Sequence, residues 1–563
     1  MRTTKRSLTR RLVWLPVAVL IAAAMGAAQR GRASVTVQLL AINDLHGHLE
    51  PPAGSNGLIG RTPAGGVEYL ATHLKNDVAR NPNSIVVAAG DLIGASPLVS
   101  ALFHDEPSIE SLNAMNMAVS SVGNHEFDRG PEELRRMQRG GCHPSDGCQG
   151  GDGFAGARFQ YLSANVVERT GSSSAPLFPA TAIRTIGGVK IGFIGETLRN
   201  TPQIVTPRGV RGLTFLDEAT TANAYAAELK QQGVKAIVLL IHEGGEQSTD
   251  ADPNGCGGFG GAIARIAERL SPDIKVVISG HTHEFYNCTI AGHAVTSASS
   301  YGRMITRVNV IVDPSDDTIT GVSATNEIVS RDVAKDPIQT RIIARYAALS
   351  APIANRIVGS VTGDIRRAAN RAGESALGDV IADAQLASTS AADRGGAIVA
   401  FMNTGGTRAD VIANSRTGNQ QPGQITYSEL FTIQPFGNVM TVLTLTGDSI
   451  KRLLEQQFEG PAAGTNRILQ VSSGFTYSYR LNAPPGQHVM PRSIKIAGRI
   501  IAPNERVRVA MNNFLAPGGD GFLVFREGTD QLGGDLDIDA LVAYFKTHSP
   551  VGPGPQNRIL RID

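Results

Sequence analysis

Residues 274–283 read IKVVISGHTH, an apolar run of buried type that stops abruptly at His281 and His283. Four other apolar runs end the same way. VTVQLLAINDLH (35–46) delivers Asp44 and His46, and SIVVAAGD (84–91) delivers Asp91. VSSVGNHEFD (119–128) delivers Asn124, His125 and Asp128, and AIVLLIHEGG (236–245) delivers His242. The runs are continuously apolar rather than alternating, as strands covered on both faces are. Between them, GGVEYLATHLKNDVAR, PEELRRMQR, TTANAYAAELKQQG and GAIARIAERL carry apolar residues at three- and four-residue spacings, which predicts helices. The alternation makes residues 36–332 a layered α/β unit with its chemistry in loops at strand ends.

The residue types point to a catalytic two-metal site. A pair of divalent ions needs a bridging carboxylate and further imidazole, carboxylate and amide donors. Asp91 is the candidate bridge, Asn124 offers a neutral oxygen, and His242, His281 and His283 supply imidazoles beside Asp44 and His46. A water shared by such ions loses its proton near neutral pH and becomes a nucleophile. His125 follows Asn124 directly, so it sits beside the ions as a charge stabiliser or proton donor, and Asp128 orients it. A lone His is more often a hydrogen-bonded structural residue. His48, His73, His104, His143, His293, His488 and His548 take that reading.

A chain of 563 residues is too long for one core, and two domains after a leader are expected. The segment 336–357, DPIQTRIIARYAALSAPIANRI, reads as a long helix broken at Pro352, placed within a 333–357 linker. Beyond it, residues 358–563 form a second, smaller α/β region with Gly- and Asn-rich loops after apolar runs: NTGGTR at 403, QPFGN at 434 and NNFLAPGGDGF at 512. With 42% hydrophobic residues, 18% charged and a net charge of +2, the composition is that of an ordinary globular protein. It provides no field for a nucleic-acid polymer.

Residues 1–33 read as a cleavable signal peptide: basic MRTTKRSLTRR, then apolar LVWLPVAVLIAAAMGAA, then small residues. A membrane anchor is the alternative, and Sec and twin-arginine export both fit. Export to a bacterial periplasm or the medium, with no stable membrane anchor, is therefore expected. Cys142, Cys148, Cys256 and Cys288 then read as two disulfides, with a zinc knuckle as the alternative.

D-x-H (Asp44, His46), GD (Asp91), GNHEFD and GHTH resemble the calcineurin-like metallophosphoesterases, and NTGGTR, QPFGN and FLAPGGDGF are similar to the C-terminal domain of the exported 5′-nucleotidase and UDP-sugar hydrolase family. The resemblance implies a four-layer β-sandwich flanked by helices, a linker helix and a C-terminal substrate domain that rotates about a hinge near 350–358. It implies one ion on Asp44, His46, Asp91 and His283, a second on Asp91, Asn124, His242 and His281, and a catalytic His125–Asp128 dyad. Some bacterial members carry Gln where this chain has His283, which leaves the ion (Zn, Mn or Co) undefined. Phe436 and Phe514 would sandwich the base, Asp520 would hold ribose hydroxyls, Asn403 would lie near the base or phosphate end, and Arg371 and Arg408 would grip phosphate. The expected activity is hydrolysis of nucleoside 5′-monophosphates to nucleoside and phosphate by a monomer or weak dimer. UDP-sugar and 2′,3′-cyclic nucleotide hydrolysis remain alternatives; a sulfur-ester hydrolase and a non-catalytic nucleotide-binding protein are the rivals.

Overall fold

The computed structural model describes the chain apart from residues 2–32, 152, 171–172, 207, 249–251, 416–419 and 460–466. The signal-peptide reading falls almost wholly on 2–32 and so lies outside the described residues. Among the described residues no helix is long and apolar enough to cross a membrane.

Two six-stranded mixed sheets build the first domain. In one, the strands Val35–Ile42, Ser84–Ala89, Met117–Ser121 and Gln160–Leu162 run parallel, and Met304–Asp313 and Thr318–Ile328 extend it antiparallel. In the other, Val189–Thr197, Ala236–His242, Ile274–Ser279 and His293–Ala298 run parallel, with Thr181–Ile186 and Phe285–Ile290 as antiparallel edges. Leu39, Val87 and Val119 from the first sheet interleave with Phe193, Val238 and Val276 from the second, all fully buried. The outer faces are covered by the helices Val67–Arg80 and Glu106–Ala114 on one side and Glu218–Gln231 on the other. The parallel strands are buried on both faces over most of their length, which is why their sequences lack alternation, while the antiparallel edge strands are partly exposed. The order is helix, sheet, sheet, helix, and the parallel strands of both sheets open on one rim.

Three local expectations are corrected. The helix expected over GAIARIAERL is confined to Ala262–Ala267: Gly260–Gly261 pairs as a strand with Gly245–Glu246 before it, and Glu268 and Arg269 turn away after it. Pro352 does not break its helix, which runs Pro337–Ala354. Proline removes a single N–H, and here it falls in the last turn, where one lost bond is tolerated. The zinc-knuckle alternative falls as well: Cys142–Cys148 and Cys256–Cys288 are disulfides.

The helix Pro337–Ala354 is capped by Asp336, whose side chain accepts from the Ile338 and Gln339 N–H groups. It packs into the helical layer of the first domain: Tyr346 is fully buried there, and its hydroxyl donates to Glu110 at 2.8 Å. The second domain has its own core, with Phe401, Phe475 and Val509 at its centre. A five-stranded sheet (Gln470–Val471, Val399–Met402, Arg506–Asn512, Val439–Thr446, Thr529–Leu536) sends the loops after Met402 and Asn512 toward the first domain's rim.

Candidate metal centre

Sheet pairing continues past the strand ends and holds the rim loops in register. The Asp44 N–H donates to the Gly90 carbonyl at 3.1 Å and the His46 N–H to the Asp91 carbonyl at 2.9 Å. Asp44, His46, Asp91, His281 and His283 all take left-handed backbone conformations, with φ of 50°, 47°, 50°, 73° and 60°. Asp and His tolerate this region better than most residues, yet each costs ~1–3 kcal/mol, and such strain gathers where function over-determines geometry. Gly123 cannot carry a side chain, because a Cβ there would collide with the Asp91 carboxylate.

The donors form two groups joined by Asp91. His283 Nε2 lies 3.0 Å from His46 Nε2 and 3.5 Å from Asp44 Oδ1. Asn124 Oδ1 lies 3.2 Å from His242 Nε2 and 3.0 Å from His281 Nδ1. Asp91 Oδ2 reaches one nitrogen in each group, His46 Nε2 at 3.6 Å and His242 Nε2 at 3.0 Å. Second nitrogens are committed elsewhere: His46 Nδ1 donates to the Gly94 carbonyl at 2.9 Å and His242 Nδ1 to the Ala89 carbonyl at 2.8 Å. That fixes the tautomers and presents Nε2 of both rings to the centre. Nitrogen and oxygen donors so arranged fit divalent cations.

The electrostatics of His46, Asp91, His281 and His283 agrees with ligation, whereas Asp44 and His242 are pushed toward their protonated forms. Burial holds His46 and His283 well below the ordinary imidazole range and His281 at about 3, so three rings keep their lone pairs. Burial raises Asp44 to about 7. Burial opposes ionisation of Asp91 too, but His242 and His125 outweigh it and keep the carboxylate charged. His242 is raised to about 10: burial lowers it, and Asp91 with Asp44 reverses the effect.

His125 stands at the edge of this cluster, its ring 5.1 Å from His46. Its Nδ1 lies 2.8 Å from Asp128 Oδ2, and its N–H donates to Asp91 Oδ1 at 2.9 Å. Burial lowers its pKa, and Asp128 and Asp91 raise it above the ordinary value.

The second domain brings some of the expected residues to the rim and not others. Arg408 Nη2 comes within 3.5 Å of His46 Nε2, and its guanidinium lies over the Phe436 ring at 5.8 Å. Phe436 stacks on His125, with centroids 5.7 Å apart. Phe514 packs against the second core and makes no described ring contact with Phe436. Asn403 donates to Asp520 at 2.9 Å and accepts from Asn512 at 3.0 Å, forming one polar cluster. Arg371 is turned away: its guanidinium donates to the Asp563 main-chain oxygen at 2.6 Å. Arg367 lies on the rim in its place, lining a cavity of about 550 Å³ with Arg303, Arg408, Tyr301, His281 and His283.

Sequence reasoning missed two further residues. Glu126 accepts from the Asp91, Leu92 and Gly123 N–H groups at 2.9, 2.8 and 2.7 Å, clamping the loops that carry Asp91 and Asn124. Its position inside GNHEFD was the available signal. Asn56 accepts from Arg367 at 2.9 Å and donates to the Arg408 carbonyl at 3.0 Å, and nothing in its local sequence marks it.

Residues 37–285 match the calcineurin-like phosphoesterase family model, and residues 357–527 match that of the 5′-nucleotidase C-terminal domain. The chain is 31% identical over 574 residues to the cell wall protein Lmo0130 of Listeria monocytogenes, covering 93% of this chain and 69% of that protein. It is 33% identical over 536 residues to the endonuclease YhcR of Bacillus subtilis, covering 93% of this chain but 41% of that longer protein. The crystal structure of a 5′-nucleotidase precursor from Thermus thermophilus superposes with a TM-score of 0.75 at 25% identity, covering 94% of this chain and 100% of that one.

Proposed function

The chain belongs to the calcineurin-like phosphoesterases that carry a 5′-nucleotidase C-terminal domain, and on that premise we propose that it hydrolyses nucleoside 5′-monophosphates to nucleoside and phosphate. The observation that carries the reading is Asp91 Oδ2, set between His46 and His242 so that one carboxylate serves both donor groups. Asp44, His46, Asp91 and His283 would hold one divalent ion, and Asp91, Asn124, His242 and His281 the other. Such a pair activates a water and polarises the phosphoryl oxygens.

The chain's own groups supply the rest. Arg408 pairs its guanidinium fork with a phosphoryl oxygen beside His46. His125, kept charged by Asp128, gives its proton to the departing ribose oxygen. Phe436 and Phe514 stack on the base, and the Asn403–Asp520 pair takes the ribose. Two disulfides support export, since such bonds persist in oxidising compartments.

The cavity past His283 favours a second reading within the same chemistry. Arg303 and Arg367 line it with no carboxylate paired to either among the described ion pairs, so a substrate continuing beyond the scissile phosphorus, such as a nucleoside diphosphate or UDP-sugar, would fit there. A panel of AMP, ADP, ATP, UDP-glucose, cyclic AMP isomers and an aryl phosphate, each with manganese, cobalt or zinc, tests both. AMP is expected to exceed the aryl phosphate in kcat/KM. Equal values would sink the base clamp, and inactivity on every ester would sink the hydrolase reading.

A further inference from the structure

A second constellation of histidines lies outside the rim. His104, from the turn before the helix Glu106–Ala114, stacks on His143 with centroids 3.8 Å apart and planes within 8°. Asp146 Oδ2 lies 2.8 Å from His104 Nε2 and 3.5 Å from His143 Nδ1. Glu133, on the helix Pro131–Arg139, approaches the same two rings: one ligand atom each from His104, Glu133 and His143 lie within 4.8 Å of one another, and Asp146 approaches the rings separately.

We propose that His104, Glu133, His143 and Asp146 form a third divalent-cation site, suited to zinc or a similar borderline ion. Two imidazoles with one or two carboxylates are the donors such ions select. The loop that carries His143 and Asp146 is closed by Cys142–Cys148, so these two donors are held near each other before any ion arrives. Asp146 is half-exposed, so the site opens to solvent.

Two guanidinium groups, those of Arg129 and Arg136, flank the donors and must yield to an entering cation. Arg129 already brings Nη1 to 3.3 Å from His104 Nδ1, and its side chain reaches solvent, so an entering ion can displace it. Glu133 also accepts from Arg136 at 2.9 and 2.8 Å, and a carboxylate has lone pairs for both partners. The site is separate from the rim but mechanically close. Asp105, next to His104, accepts from the Gly94 N–H at 3.2 Å, and the Gly94 carbonyl in turn receives His46 Nδ1.

The test is a difference in stoichiometry. The full chain, stripped with a chelator and with its disulfides intact, is titrated with zinc against a chromophoric competitor, alongside His143→Gln and Asp146→Asn. The wild type is expected to bind one equivalent more than His143→Gln, and Asp146→Asn to bind that equivalent more weakly. Identical zinc binding by all three overturns the proposal, however many ions the rim itself holds. Anomalous scattering at the zinc edge from wild-type crystals supplies a check that needs no variant. A peak within bonding distance of a ring nitrogen of His104 and of His143, at the edge of the stack, supports the site, and its absence at saturating zinc overturns it, leaving a stacked pair braced by Asp146.

Discussion

The rim of the first domain and the loops of the second that face it are built by opposite means. On the rim, Asp44, His46, Asp91, Asn124 and His242 are at most 3% exposed, and their loops continue the hydrogen bonding of the sheets behind them. Across the gap, Phe436 and Phe514 are half-buried, and Thr404–Gly406 and Gly519–Gly521 are single 3-10 turns. Ions impose fixed donor distances, so strained left-handed backbone is retained there at a cost. A stacked base tolerates small displacements, so short turns suffice. Damage to the rim should therefore be nearly all-or-none, and damage opposite it graded.

The largest expected effect is that of Asp91→Ala. It removes the carboxylate that, among the described ion pairs, lies against a histidine of each donor group, and also the acceptor of the His125 N–H. Losing several kcal/mol of metal-supplied stabilisation corresponds to ~10³-fold or more in turnover. Elemental analysis should show ion loss in parallel, and normal activity would break the contrast at once. His125→Asn comes next. It should leave the ion content intact and lower kcat by ~10²–10⁴-fold, as loss of a positioned proton donor does. Ion loss in that variant would move His125 from proton donor to ligand.

The same contrast explains what was legible in the sequence. Asp44, His46, Asp91, Asn124, His242, His281 and His283 each lie at or just past the end of a buried strand, so the end of an apolar run located them. The layered α/β character followed from those continuous runs, and the two-sheet sandwich only from the family resemblance. Arg367 and Arg371 lie in a stretch with no helix or strand of its own between Ser360 and Ala376, where no periodicity says which side chain faces the rim. That choice is made over long range: Arg371 reaches Asp563, while Arg367 reaches Asn56 in the other domain. Glu126 was hidden for another reason. Its work is to bind main-chain N–H groups of loops that only the fold assembles.

On the graded side, Phe514→Ala is cleaner than the equivalent change at Phe436, whose ring also stacks on His125. A base stack is worth ~1–3 kcal/mol, so KM for AMP should rise ~5–150-fold, with an aryl phosphate nearly unaffected. Equal losses on both substrates would mean that Phe514 supports the second core rather than a base.

The smallest effect, and the sharpest test of how the two regions are coupled, is expected from Asn56→Ala. This amide of the first domain is 7% exposed and holds two segments of the second domain at once, through the Arg367 guanidinium and the Arg408 main chain. A hydrogen bond to a charged group contributes ~1.5–3 kcal/mol when buried and satisfied, and Arg367 keeps solvent access through the cavity, which lowers that figure. KM for AMP should therefore rise ~3–10-fold, with kcat within about twofold of the wild type. Loss of grip on the substrate domain weakens ground state and transition state alike, and the rim donors are untouched. The reverse split, a fall in kcat at constant KM, would show that Asn56 sets the alignment of Arg408 with the reacting phosphorus. The graded region would then share the rigidity of the rim.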